Sequence, residues 1–137
     1  MAQSIREVMT RSPETVESGS TAVDAAKRMK QADAGMIPVV QNGRLVGTVT
    51  DRDIAVRVVA EGKDPQTTTV GEIASTEIVT VAPDLDLSEA LKLMARHQVR
   101  RLPVVEGDAV IGVIAQADVA QQADERDVGK TVEQISR

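Results

Sequence analysis

The chain contains no cysteine, phenylalanine, tyrosine or tryptophan, and its one histidine is His97. Without cysteine there are no disulfides, no thiolate metal sites and no thiol catalysis. Without aromatic rings there is nothing on which a nucleobase could stack, which argues against single-stranded nucleic acid as a partner. A core must instead be assembled from Val, Ile, Leu, Met and Ala. Positive charge is also scarce: 16 Lys and Arg stand against 21 Asp and Glu, a net charge of −5, and no basic tail is present to follow a phosphate backbone. No N-terminal stretch reads as a signal peptide, and no 18-residue apolar run could span a bilayer. The expectation is a cytoplasmic protein with neither nucleic acid nor membrane as a partner.

Catalytic and metal-binding patterns are missing too. No acid–base or nucleophile–base pair stands out, and no calcium loop appears. The "GKT" of Gly129 to Thr131 lacks the upstream glycine of a phosphate-binding loop, since Asp124 holds that place. His97 falls in the last turn of a predicted helix, where it complements the helix dipole rather than a metal. The reading is therefore not an enzyme, with no metal and no catalytic cofactor.

What the chain has is a repeat. Its 137 residues, 42% hydrophobic, suffice for one compact domain or two very small halves sharing a core. Shifted by 65 positions, the sequence lies on itself without a gap from Val8 to Asp53. Thr15–Val16 meets Thr80–Val81, Met29 meets Met94, and "PVV" at 38–40 meets "PVV" at 103–105. Gly47 then meets Gly112, and Asp53 meets Asp118. Two copies are too few for a solenoid; the pattern predicts a closed pseudo-twofold pair.

Each copy reads helix, strand, helix, strand, strand, helix, so the fold class is α/β, of mixed α+β character. Capping boxes at Ser4-x-x-Glu7 and Thr69-x-x-Glu72 open the copies. Short strands follow at Glu14 to Val16 and Ile78 to Val81. Helical periodicity then spans Ala22 to Ala32 and Leu87 to His97, with Gly35 suited to the first helix's C-terminal turn. Strands at Ile37 to Val40 and Leu45 to Val49 flank Asn42-Gly43, a strong hairpin signal. Their repeats are Leu102 to Val105 and Val110 to Ile114. The closing helices run from about Arg52 to Ala60 and Ala117 to Gln122. Residues 1–65 form repeat 1 and 66–122 repeat 2. Residues 123–137 form a charged tail whose "TVEQIS" predicts a short helix.

These residues resemble a known family. "IPVV" or "LPVV" before a hairpin, then Gly-x-x-Thr-x-x-Asp opening a helix, is similar to the CBS (cystathionine β-synthase) domain, and two in tandem resemble a CBS pair, or Bateman module. The runs "TDRDIAVRVVAEGKDP" and "HQVRRLPVV" resemble stand-alone bacterial CBS pairs of the hypoxic-response, stress-associated type. The resemblance implies a regulator that binds adenosine-containing ligands such as AMP, ADP, ATP, S-adenosylmethionine or NAD(H) in clefts between the repeats. It also implies a homodimer that reports to a protein target still to be identified. The alternative is a ligand-free dimeric protein–protein interaction module.

The resemblance places Asp53 and Asp118 at the ribose position, where one carboxylate accepts from two vicinal hydroxyls. Phosphate calls for donors at a helix N-terminus, with Thr50 adding a hydroxyl and Arg52 a charge. Adenine calls for an apolar slot lined by Ile37, Pro38, Val39, Val49 and their repeats, with Thr48, Pro103 and Val113 among the lining residues. Arg100 and Arg101 stand where many CBS pairs carry His or Arg toward phosphate, and Arg100 is placed to serve either cleft. The matched residues in the first copy are Gly35 and Met36. Thr50-x-x-Asp53 is equally a capping box. Ala115 replaces the threonine in the second copy, so the two sites are unequal, and Asp53's keeps the whole motif.

Overall fold

The computed structural model describes residues 3–126, so the predicted "TVEQIS" helix lies outside the described residues. Two helices occupy the spans that periodicity predicts: α1 (Ala22–Ala32) and α4 (Leu87–His97). Thr21 opens α1, its hydroxyl accepting from the Asp24 N–H at 3.2 Å while Asp24 accepts from the Thr21 N–H at 3.4 Å. Asp86 opens α4 by accepting from the Ser88 N–H at 3.2 Å. Each helix ends on a left-handed residue, Asp33 (φ 52°) and Gln98 (φ 54°). Gly35 is therefore not the terminator of α1. Asp tolerates the left-handed conformation through local hydrogen bonding, and Gly35 is reserved for a different contact.

Two hairpins follow the helices. β3 (Met36–Gln41) and β4 (Arg44–Thr50) are joined by Asn42 and Gly43, both at positive φ, the backbone that Asn-Gly predicts. β5 (Arg101–Glu106) and β6 (Ala109–Ala115) are joined through Gly107, at φ 65°. β2 (Val16–Glu17) runs parallel to β3, pairing Val16 with Val39. The matching strand predicted at Ile78 to Val81 shrinks to one parallel bridge between Val81 and Val104. A further strand, β1 (Thr10–Arg11), pairs antiparallel with β6.

In space the described residues form two compact units that do not follow the repeat order. Residues 13–79 and 107–110 make one; residues 3–12, 80–106 and 111–126 make the other. Each unit therefore holds the opening segment of the other repeat. In the first, α3 (Val70–Ile73) docks through the Val70 and Gly71 N–H groups on the Ser20 and Ser18 carbonyls, at 2.7 and 2.8 Å. In the second, a short 3-10 turn (Ile5–Glu7) docks through the Ile5 and Arg6 N–H groups on Leu85 and Pro83, both at 2.9 Å. The two sets of bonds are made by matched residues, each donor and each acceptor 65 positions from its counterpart in the other set.

The core of the first unit gathers Val16, Ala22, Ala25, Met29, Ile37, Val39, Val49, Val58, Val70 and Ile73, with Ile54 and Ala74 packed against it. Small and β-branched side chains fill it, as a chain without rings requires. In the second unit Ile5, Met94, Leu102, Val104 and Ile114 are the fully buried counterparts. After β4 the chain enters α2 (Asp51–Ile54) and then a π-helical turn (Ala55–Val59), closed by the Ala60 N–H on the Ala55 carbonyl at 2.9 Å. After β6 it enters α5 (Gln116–Arg126).

Candidate functional site

The turn from β4 into α2 is held by its own residues. Thr50 and Asp53 form a reciprocal capping box: the Thr50 N–H donates to Asp53 Oδ2 at 2.9 Å, and the Asp53 N–H donates to Thr50 Oγ1 at 3.0 Å. The Asp51 N–H donates to the Gly35 carbonyl at 2.9 Å, and the Arg52 N–H to Asp51 Oδ1 at 2.8 Å. All three first-turn amides of α2 are thus taken. The phosphate donors expected of the helix start are engaged inside the protein, because a backbone carbonyl, a carboxylate and a hydroxyl reach them first. The turn's own residues leave unbonded the hydrogen of the Thr50 hydroxyl and the second carboxylate oxygen of Asp53, which stands 3.9 Å from Arg57 Nε. The Asp53 side chain is 16% exposed.

Strand alternation sorts the predicted slot residues onto two faces. Pro38 pairs with Thr48 and Met36 with Thr50, which puts these four on one face of the β3–β4 hairpin. Ile37 pairs with Val49 on the other face, and Ile37, Val39 and Val49 all belong to the core beneath α1. Ile37 is therefore a core residue and not a lining residue: the period of two that buries its neighbour Val39 buries it as well. Pro38, buried like Ile37 but on the other face, stands with Thr48, Thr50 and the partly buried Asp53 around the turn. Arg52 is exposed.

One residue that the sequence reading passed over stands next to Asp53. Arg57 places Nε 3.9 Å from Asp53 Oδ1 and donates from Nη1 to the Ile73 carbonyl at 3.0 Å. An Asp four residues before an Arg on a helix is a legible pair.

The second unit repeats the backbone and not the side chains. The Gln116 N–H donates to the Arg100 carbonyl at 2.8 Å, the counterpart of Asp51 on Gly35. Ala115 has no hydroxyl to accept from the Asp118 N–H. Asp118 is partly buried, and Pro103 is buried beside the core strand residues Leu102 and Val104. Val113 pairs with Thr10 of β1. Arg100 is exposed and Arg101 partly so, and among the described residues neither makes an ion pair.

The shared glycines have a packing role. A Cβ on Gly47 would lie 2.7 Å from the Ser75 carbonyl oxygen, and one on Gly112 would lie 2.9 Å from that of Thr10 and 2.6 Å from Met9 Sδ. Ser75 and Thr10 are matched residues of the exchanged opening segments, and Ser75 bridges to Thr48 as Thr10 pairs with Val113. Gly35 similarly leaves room for the Asp51 carboxylate, 3.0 Å from where its Cβ would be.

Two copies of one αβ unit, each with Gly at a crossing strand and Asp at the strand-to-helix turn, agree with the family comparison: the CBS domain model matches residues 5–60 and again 70–125. This chain belongs to the CBS domain family. The CBS pair is 43% identical over 134 residues to the CBS domain-containing protein YhcV of Bacillus subtilis, covering 97% of this chain and 95% of that one. Among solved structures it is similar to Hypoxic Response Protein I, described with two coordinated zinc ions (TM-score 0.81, 36% identity, covering 87% of this chain and 98% of that one). It also shares its fold with the CBS domain pair of protein MJ0100, solved with 5′-methylthioadenosine and S-adenosyl-L-methionine (TM-score 0.82, 23% identity, covering 93% and 100%). CBS pairs are regulatory modules, and no enzyme family is indicated. Among the described residues, no group of three His, Asp or Glu side chains is placed to hold a metal ion, and no helix is long and apolar enough to cross a membrane.

Proposed function

We propose that this CBS pair is a non-catalytic sensor whose regulatory ligand is an adenine nucleotide, AMP, ADP or ATP, bound at the β4-to-α2 turn. The observation that carries this reading is the state of Asp53. One carboxylate oxygen is fixed by the Thr50 N–H at 2.9 Å, and the other makes no backbone hydrogen bond. A carboxylate pinned at one oxygen is pre-organised to accept from ribose hydroxyls at the other. Pro38 and Thr48 flank the base, and the Thr50 hydroxyl and Arg52 meet the phosphate. Asp118, Pro103 and Val113, with Arg100 and Arg101, form the corresponding site of the second unit. The adenosine ligands of the MJ0100 pair fit this reading at the level of the shared fold. The sensor works as a cytoplasmic homodimer and passes its state to a protein target.

The test is isothermal titration with AMP, ADP and ATP, then S-adenosylmethionine and NADH, on the wild type, Asp53→Ala and Asp118→Ala. The expected result is binding by the wild type that Asp53→Ala abolishes. A second reading, the ligand-free interaction module, is favoured by Val56 and Val59, which are 47% and 69% exposed just after the turn. Flat titrations with every ligand, together with a dimer that Val59→Lys dissociates in sedimentation velocity, would establish that reading instead.

A further inference from the structure

Arg57 reaches two acceptors at once. Its Nη1 donates to the Ile73 carbonyl, the last of α3, at 3.0 Å, and its Nε stands 3.9 Å from Asp53 Oδ1. One planar guanidinium, hydrogen-bonded to the first and at ion-pair distance from the second, presents its charge to Asp53 from an anchored position, as a single charge on a flexible stem does not. Asp53 Oδ2 is already held by the Thr50 N–H, and among the described residues Arg57 is the side chain at ion-pair distance from Oδ1. Arg57 also lies inside the π-helical turn Ala55–Val59, a rare backbone form that concentrates at functional sites. The second repeat lacks this device. Gln122 stands 65 residues after Arg57 and instead accepts at Oε1 from Gln3 Nε2 at 3.2 Å, and Asp118 makes no ion pair among the described residues.

We infer that Arg57 is a positioning residue that sets ribose selectivity: by orienting Asp53 Oδ1 it makes the turn discriminate a 2′-hydroxyl from a 2′-hydrogen. With Arg57 half exposed (52%), the contribution is one of geometry more than of Coulomb energy, since solvent screens an exposed pair. The inference rests on the adenine-nucleotide reading above, and its test separates the two. AMP and 2′-deoxy-AMP are titrated into the wild type, Arg57→Gln, which installs the second repeat's residue, and Arg57→Lys. The wild type is expected to favour AMP about tenfold, the size of one hydrogen bond to a charged acceptor. Arg57→Gln is expected to bind both nucleotides within about twofold of each other, and Arg57→Lys to recover part of the preference. Far-UV circular dichroism melts of the free variants check that the fold persists. A preference that survives in Arg57→Gln, with both nucleotides weakened equally, would assign Arg57 to structure alone and overturn the inference while leaving the binding site standing. A wild type that binds both nucleotides equally overturns the inference too, and a wild type that binds neither removes the nucleotide reading and the inference together.

Discussion

The turns at Thr50–Asp53 and Ala115–Asp118 begin from the same backbone bond, a helix-opening N–H on the carbonyl 16 residues earlier, and then diverge. In the first, the Gly35 carbonyl, the Asp51 carboxylate and the Thr50 hydroxyl engage the three first-turn amides, and Arg57 stands near Asp53. In the second there is no capping hydroxyl, and Gln122 replaces the arginine. The glycines ahead of the two turns, by contrast, do the same work, leaving room for a crossing strand. The comparison separates positions that the backbone requires in both copies from positions where side-chain chemistry has been built in one.

The backbone side of that comparison carries the largest expected effect. Gly47→Ala forces a Cβ against the Ser75 carbonyl at 2.7 Å, with only backbone to yield. It is expected to cost about 3 kcal/mol, a fall in melting temperature of about 10 °C for a chain of this size. At Gly112 the closest atom belongs to the flexible Met9 side chain and the backbone carbonyl of Thr10 is farther, at 2.9 Å, so Gly112→Ala is expected to cost somewhat less, about 2 kcal/mol. Urea denaturation followed by far-UV circular dichroism reads both. Equal and negligible costs would break the packing account of the two glycines.

The capping difference is the next step down. Thr50→Ala removes the acceptor for the Asp53 N–H and is expected to cost about 1 kcal/mol. Ala115→Thr recreates Thr-x-x-Asp ahead of α5 and is expected to gain up to about 1 kcal/mol. Opposite signs from one chemical exchange, measured by the same denaturation, would sharpen the contrast between the turns; equal signs would remove it.

The smallest effect concerns the exchanged segments. Glu72 accepts from the Thr69 N–H at 2.7 Å and the Thr69 hydroxyl at 2.9 Å. These bonds hold its carboxyl below the ordinary glutamate value. Its matched residue Glu7 accepts from Ser4 at 3.4 Å on both bonds. Because the folded pKa of Glu72 lies below the unfolded one, its contribution is present above the ordinary glutamate value and is lost as pH falls through the lowered one. Melting temperature followed from neutral to acid pH should fall less steeply in Glu72→Gln than in the wild type over that window. Identical slopes would count against the short Thr69 bonds.

Local signals carried most of what could be read in advance. The periodicity of Ala22–Ala32 and Leu87–His97, the Asn42-Gly43 hairpin and the capping boxes all depend on residues within a few positions of one another. The exchange of opening segments was not legible, because Ser75 meets Thr48 and Thr10 meets Val113 through contacts distant in sequence. The same distance hid the reason for Gly47 and Gly112 and left β1 unforeseen. The apolar lining expected for the slot takes in both Ile37 and Pro38, although alternation places the two on opposite faces. The loss of the α2 amides as phosphate donors follows from Asp51, whose carboxylate turns back onto the Arg52 N–H, from Thr50, whose hydroxyl takes the Asp53 N–H, and from the Gly35 carbonyl, distant in sequence, which takes the Asp51 N–H. Arg57 was legible as an i, i+4 partner of Asp53; its second contact, with Ile73, was not.

The exchanged openings also dictate where this protein can be cut. A fragment from residue 66 onward would begin at the repeat boundary but leave β6 without β1, exposing a sheet edge able to recruit other chains. It would also carry α3 away from the strands that α3 covers. Residues 13–79, which straddle that boundary, hold the body of one unit. Grafts, tags and permuted termini therefore belong at the junctions 12/13 and 79/80, and the seam suggested by counting repeats is the wrong place for a knife.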